Sequence, residues 1–120
     1  NYIYVRMGAH TLIHKRTEDD IWKNLFELPL VETEKDLSEE EFLACPQFHA
    51  LFAEGEVRMV RTLLRGVKHV LSHRVIYTNF YEVTLPDNSS SFSSYQRVAV
   101  EDLGRYAVPR LIHAFLEKYV

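Results

Sequence analysis

Apolar and polar residues alternate at both ends of the chain, and a helical period replaces the alternation in the middle. "NYIYVRMGAHTLIHKR", residues 1–16, reads as two short strands around Gly8-Ala9, a hairpin pattern. "LFELPLVE" alternates only in part, and Pro29, lacking an N–H, keeps it from being a regular central strand. At "SEEEFLA" the spacing of Ser38 and Glu41 is that of a capping box, which predicts a helix starting near Ser38. Pro46 ends it, and "PQFHALFA" predicts a second helical turn or two before Gly55. In "VRMVRTLLRGVKHVLSH" Arg58, Arg61 and Arg65 would share a helical face, but the β-branched content and Gly66 favour two strands with a turn. "RVIYTNFYEVTL" is the clearest strand, with Val75, Tyr77, Asn79, Tyr81 and Val83 on one side. "PDNSSSFSS", residues 86–94, reads as a mobile polar loop, and "YQRVAV" as a further strand. "YAVPRLIHAFLEKY" closes as an amphipathic helix, with Pro109 near its first turn and a buried stripe of Leu111, Ile112, Phe115 and Leu116. Strands, a helix, strands again and a last helix make one α+β domain over residues 1–120.

Composition narrows the class. A chain of 120 residues with 47% hydrophobic and 26% charged residues can close a core without metal or disulfides. Its single cysteine, Cys45, excludes an internal disulfide and fits a reducing cytoplasm. The apolar runs are too short for a membrane span. A strand-like segment opens the chain at Asn1 in place of Met, the pattern of a piece cut from a longer polypeptide. Charge is segregated. Residues 1–56 carry twelve acids against five bases, whereas residues 57–81 carry five bases and no acid. An acidic chain, at net charge -3, thus presents one basic strip. A solvated strand edge guarded by cations would have the same composition.

The residues for common site chemistries are poorly arranged. Six histidines invite a metal, but His10/His14 and His69/His73 are four apart in segments read as strands, where the spacing does not chelate. Ser72 and His73 are adjacent, so on a strand they point to opposite faces and make no nucleophile–base pair. With four glycines, the chain has no phosphate-cradling loop. No catalytic and no metal site is expected in these residues.

"DIWKNLFELPLVE" resembles the segment that leads into the catalytic box of a Nudix-type fold. Nudix hydrolases follow the Pro with Gly-Gly and then a helix whose R-E-x-x-E-E pattern holds magnesium. Here Leu30-Val31 follow Pro29, and Glu39, Glu40 and Glu41 are consecutive, fanning about 100° apart around a helix. Three stretches resemble the C-terminal domain of the MutY family of adenine DNA glycosylases, in the same order. "IWKNLFELPLVE" is similar to its W-x-x-L-x-x-x-P stretch, "KHVLSHRVIYTNFYEV" to its H-x-F-S-H segment and long strand, and "RYAVPRLIHAFLEKY" to its YALPRLI helix.

The resemblance implies a Nudix-like mixed or antiparallel sheet with helices on its faces. It implies a DNA-binding module that recognises 8-oxoguanine paired with adenine in double-stranded DNA during base excision repair. Ser72 would hydrogen-bond the damaged base, His73 matches the following His, and Leu71 stands where the family often has Phe. Lys68, Arg58 and Arg61 would supply the basic face toward phosphates. The partner domain implied is an N-terminal glycosylase domain of the same polypeptide, holding the iron–sulfur cluster and the excision residues; this chain itself would need no cofactor. Such a protein works on DNA in the bacterial cytoplasm. Trp22, Tyr77 and Tyr81 read as packing residues. Two other functions remain open: a divergent Nudix hydrolase acting on oxidised nucleotides, and a protein-interaction module of the same fold.

Overall fold

A computed structural model describes residues 1–17, 24–53, 55–70, 75–89, 92 and 94–119. The described residues form an α+β arrangement of two three-stranded sheets with helices against them. The strands are β1 (Tyr2–Arg6), β2 (His10–Lys15), β3 (Phe26–Glu27), β4 (Met59–Val70), β5 (Val75–Thr84) and β6 (Gln96–Ala99). The helices are α1 (Glu39–Ala44), α2 (Pro46–His49) and α3 (Arg110–Tyr119), with a 3₁₀-helix at Val100–Arg105. One sheet has the order β1-β5-β4, with β1 parallel and β4 antiparallel to β5; the other, β3-β2-β6, is antiparallel.

The pairing corrects two expectations. Met7 and His10 exchange backbone hydrogen bonds of 2.9 and 3.0 Å around Gly8-Ala9, so the turn is where the sequence puts it. Beyond it β1 and β2 diverge into different sheets, because β1 is buried on both faces and pairs with β5. Gly8 sits at φ +60, a backbone conformation that favours glycine, and the Asp87 side chain, 2.7 Å from where a Cβ would lie, would have to swing aside for a larger residue. The second correction concerns Gly66. Residues 59–70 are one strand with register shifts, not two strands joined by a turn.

Two cores flank β1 and β5. On one side Tyr2, Tyr4 and Phe80 meet α3, with the Phe80 and Phe115 rings stacked 4.2 Å apart. On the other, Ile3, Val5, Tyr81 and Val83 meet α1 and α2, with Phe42 stacked on Tyr81 at 4.5 Å. The predicted stripe of α3 is present, with Leu111, Ile112 and Phe115 buried and Leu116 partly so. Helix α1 starts as its sequence requires: Ser38 Oγ accepts from the Glu41 N–H at 3.1 Å, and the Glu41 carboxylate accepts from the Ser38 N–H at 3.0 Å. In the 86–94 loop, Phe92 packs edge-on against Phe52 and Tyr95, at 5.2 and 5.0 Å between ring centroids. Trp22 lies outside the described residues.

Removing the Phe42 ring should uncover Tyr81 and detach α1. Phe42→Ala is expected to cost about 3–5 kcal/mol, read as a lowered midpoint in urea denaturation. The cap makes a separate prediction. The Ser38 N–H, and then the Ser38 side chain, hold the Glu41 carboxyl below its ordinary value of 4.5. A carboxyl with a depressed folded value stabilises the fold fully above its unfolded value and loses that contribution as pH falls through the folded one. Wild type should therefore exceed Glu41→Gln in stability at neutral pH, and the difference should begin to shrink near pH 4.5 and disappear as pH falls through the lower folded value. Denaturation midpoints of the two proteins across pH 2 to 7 check this.

Candidate nucleic-acid interface

The basic strip falls on the β4–β5 hairpin, and sheet register decides its shape. β1 pairs with β5 only from Phe80 to Thr84, while β4 follows β5 along its whole length, from Thr84 to Val75. The end made of residues 67–70 and 75–78 therefore extends past the start of β1. Two register shifts bend it on the way, one after Thr62 and one between Leu64 and Val67. At the second, Arg65 and Gly66 together face Asn79, with Gly66 at φ +66. Asn79 Oδ1 accepts the Gly66 N–H at 2.8 Å, and its Nδ2 donates to Asp36 and Asn1 at 3.0 and 3.1 Å. Arg65 donates to the Tyr81 hydroxyl at 2.8 Å, to the Leu37 carbonyl at 2.7 Å and to Asp36 at 3.2 Å. Burial, opposed by Arg65, pushes the Tyr81 hydroxyl up from its ordinary value, so it stays protonated near neutral pH. The bulge is thus held by side chains from three parts of the chain.

Past the bulge one face of the hairpin is open. Lys68 pairs with Tyr77 and Val70 with Val75, and all four are exposed, Tyr77 to 66%, Val70 to 65% and Val75 to 44%. The other face is covered, with Val67, His69 and Ile76 partly buried and Thr78 buried. Tyr77 is therefore not the packing residue its sequence suggests; Tyr81, four residues on, is.

Lys68 is the one proposed contact that the described residues place beside the Ser-His segment. Leu71, Ser72 and His73 lie outside the described residues; Val70 and Val75, on either side of them, pair with each other. Arg61 and Arg58 are at the far end of the hairpin, roughly 20 and 30 Å from Lys68 at about 3.3 Å per strand residue. Arg58 is exposed, its backbone N–H donating to the Thr84 carbonyl at 2.8 Å. Arg61 is turned to Glu82, 2.5 Å from its carboxylate, which Arg6 also reaches at 3.2 Å. Sequence reasoning missed Asn79 as the residue that pins the bulge. Its signal was there: a poor strand former in the middle of the clearest strand, facing the stretch that contains Gly66.

Glu41 and Glu27 are engaged in holding the fold. Glu41 is part of the α1 cap, and Glu39 and Glu40 are exposed on the same first turn. Glu27 is buried, 2.7 Å from Arg16 Nη1 and 3.0 Å from His14 Nε2, with the Tyr2 hydroxyl 3.3 Å away. Burial first, and then the neighbouring Glu27 charge, push the Tyr2 hydroxyl well up, so it stays protonated and donates. Among the described residues no three His, Cys, Asp or Glu side chains gather as a metal site. The magnesium-binding arrangement of a Nudix box does not fit α1, where one of three carboxylates is engaged in capping and the three diverge.

A cleft of about 530 Å³ is lined by residues 75–79 of β5 together with residues 32–36. No helix among the described residues is long and apolar enough to cross a membrane. No curated protein matches the chain. One family profile, described as a NUDIX domain, matches residues 1–118, which together with the α+β arrangement assigns the chain to a family: it belongs to the NUDIX domain family.

Proposed function

We propose that this NUDIX domain is the DNA-binding, non-hydrolytic part of an adenine DNA glycosylase and reads 8-oxoguanine paired with adenine. The observation that carries the reading is the open end of the β4–β5 hairpin. There, exposed Lys68, Val70, Val75 and Tyr77 flank the stretch that bears Leu71, Ser72 and His73. Oxidised guanine presents an N7–H donor where guanine has only an acceptor, and a serine hydroxyl can accept from it. In this reading Lys68, exposed beside that stretch, and His73 within it would meet phosphates, which carry no base identity. The iron–sulfur cluster and the excision chemistry would belong to a glycosylase domain elsewhere in such a polypeptide. A cytoplasmic, DNA-associated setting goes with this reading.

Family membership favours one other reading, a divergent hydrolase of oxidised nucleotides. Magnesium-dependent hydrolysis distinguishes the two. The chain is expected to release no pyrophosphate or phosphate from 8-oxo-dGTP with magnesium present, because the α1 carboxylates do not converge. Turnover that is lost on changing Glu39 or Glu40 would establish the hydrolase instead.

Binding to duplexes holding 8-oxoguanine or guanine opposite an uncleavable adenine analogue tests the proposal itself. Ser72→Ala is expected to reduce discrimination between the two by about 0.5–3 kcal/mol, the loss of one or two lesion-specific hydrogen bonds. Lys68→Ala should weaken both duplexes alike and flatten the slope of log affinity against log salt by about 0.9. Arg61 is a poorer probe, because Arg61→Ala also strips a partner from buried Glu82. A common factor of loss for both duplexes in Ser72→Ala would reject lesion reading.

A further inference from the structure

We infer that Asn79 and Arg65 are positioning residues, an assignment that rests on the lesion-reading proposal: without touching DNA, they set where Leu71, Ser72 and His73 meet it. Two residues of β4, Arg65 and Gly66, stand opposite Asn79 alone, and each is fixed by different partners. Gly66 is fixed from across the sheet, where Asn79 Oδ1 accepts its N–H at 2.8 Å. Arg65 is fixed by the segment before α1, donating to the Leu37 carbonyl at 2.7 Å and to Asp36 at 3.2 Å, and by the Tyr81 hydroxyl at 2.8 Å. Asp36 joins the two arms, because Asn79 Nδ2 donates to it at 3.0 Å.

The strand itself has no need of this arrangement. A β-branched residue would suit the middle of β5 better, yet a carboxamide stands there, 6% exposed, its burial cost offset by these hydrogen bonds. A buried polar network whose members are satisfied selects one arrangement of the backbone over its neighbours. The arrangement selected here is the bend of the hairpin, and the bend acts at a distance. Val75, next to the lesion-reading stretch, lies four residues from Asn79, roughly 13 Å along a strand. A rotation of about 5° at the bulge carries that end about 1 Å, roughly twice the tolerance of a recognition site. A serine hydroxyl accepting from a single N–H has that narrow tolerance. Lys68, on a flexible four-carbon stem, follows a phosphate through such a displacement. Loosening the bulge therefore harms discrimination more than affinity.

The test compares binding of duplexes holding 8-oxoguanine or guanine opposite the uncleavable adenine analogue. Asn79→Ala is expected to lower the ratio of the two affinities by about two- to thirtyfold, with little change for the guanine duplex. Gly66→Ala should do the same from the backbone side. At φ +66, with nothing within 4 Å of the added Cβ, it strains the bulge without removing a contact, and it serves as the test if Asn79→Ala does not fold. Gly66→Asn should recover most of the ratio, because asparagine tolerates the left-handed conformation. Amide resonances of residues 67–70 and 75–78 should move in both alanine variants. Val98→Ala, buried on β6 in the other sheet, should lose stability and keep the ratio. Four results overturn the inference. They are an unchanged ratio in Asn79→Ala and Gly66→Ala, a common factor of loss on both duplexes, Gly66→Asn no better than Gly66→Ala, and an equal fall in Val98→Ala. Each of these, with a wild type that discriminates between the duplexes, leaves the lesion reading standing. A wild type that binds both duplexes equally removes the reading and the inference together.

Discussion

The second half of β5 is buried on both faces and hydrogen-bonded on both edges, and β1, β4, α1 and α3 are held against it. Phe80 points to one core and stacks on Phe115 and Tyr2; Tyr81 points to the other and stacks on Phe42. A strand so enclosed has no place for an unpaired charge. Glu82 is accordingly met by arginines from both neighbouring strands, Arg6 on β1 and Arg61 on β4. Such a pair is weak support for stability in itself, since desolvating the ions offsets most of their attraction. Its effect is on register, because a one-residue slip of either neighbour would turn its arginine to the wrong face.

The first half of the same strand has the opposite character. Beyond the Tyr2–Phe80 pair β4 is the one strand that the described residues pair with β5, and from Tyr77 outward one face is open. The change takes place at Asn79, where two residues of β4 meet one of β5. A bulge bends a strand and increases its twist, so the outer part of the hairpin need not follow the plane of the packed part. Holding it requires polar partners on three sides, and Asn79 and Arg65 find them in Gly66, Asp36, Leu37 and Tyr81.

How much of this was legible in the sequence follows from which interactions are local. The α1 cap depends on residues three apart, and both hydrogen bonds of the box are present. The stripe of α3 and the break at Pro46 are local in the same sense and came out as read. The partner of β1 was not legible. A turn at Gly8-Ala9 ordinarily joins paired strands, and only the distant β5, almost eighty residues away, shows that Tyr2–Arg6 is held elsewhere. The continuous apolar run "YIYV" carried a hint, because a strand buried on both faces loses its alternation. Gly66 was misread for the complementary reason: a positive φ serves a bulge as well as a turn, and the difference lies in Asn79 across the sheet. Of the site, the basic strip was legible as a charge count. That Lys68 stands apart from Arg58 and Arg61 needed the length of one unbroken strand.

That length also explains how an overall acidic chain can hold two surfaces of opposite sign. Long-range repulsion between exposed charges fades over about 8–10 Å at physiological salt. The acids of residues 32–36 line the cleft together with residues 75–79 of β5, whereas Lys68 is exposed on the neighbouring strand β4. A strand edge and a strand tip present different chemistry: the edge offers backbone groups, and the tip offers side chains. Both surfaces hang on the same bulge, so a change at Asn79 or Gly66 that moved the hairpin would displace the two together, whereas a change at Glu32 or Lys68 would touch only one.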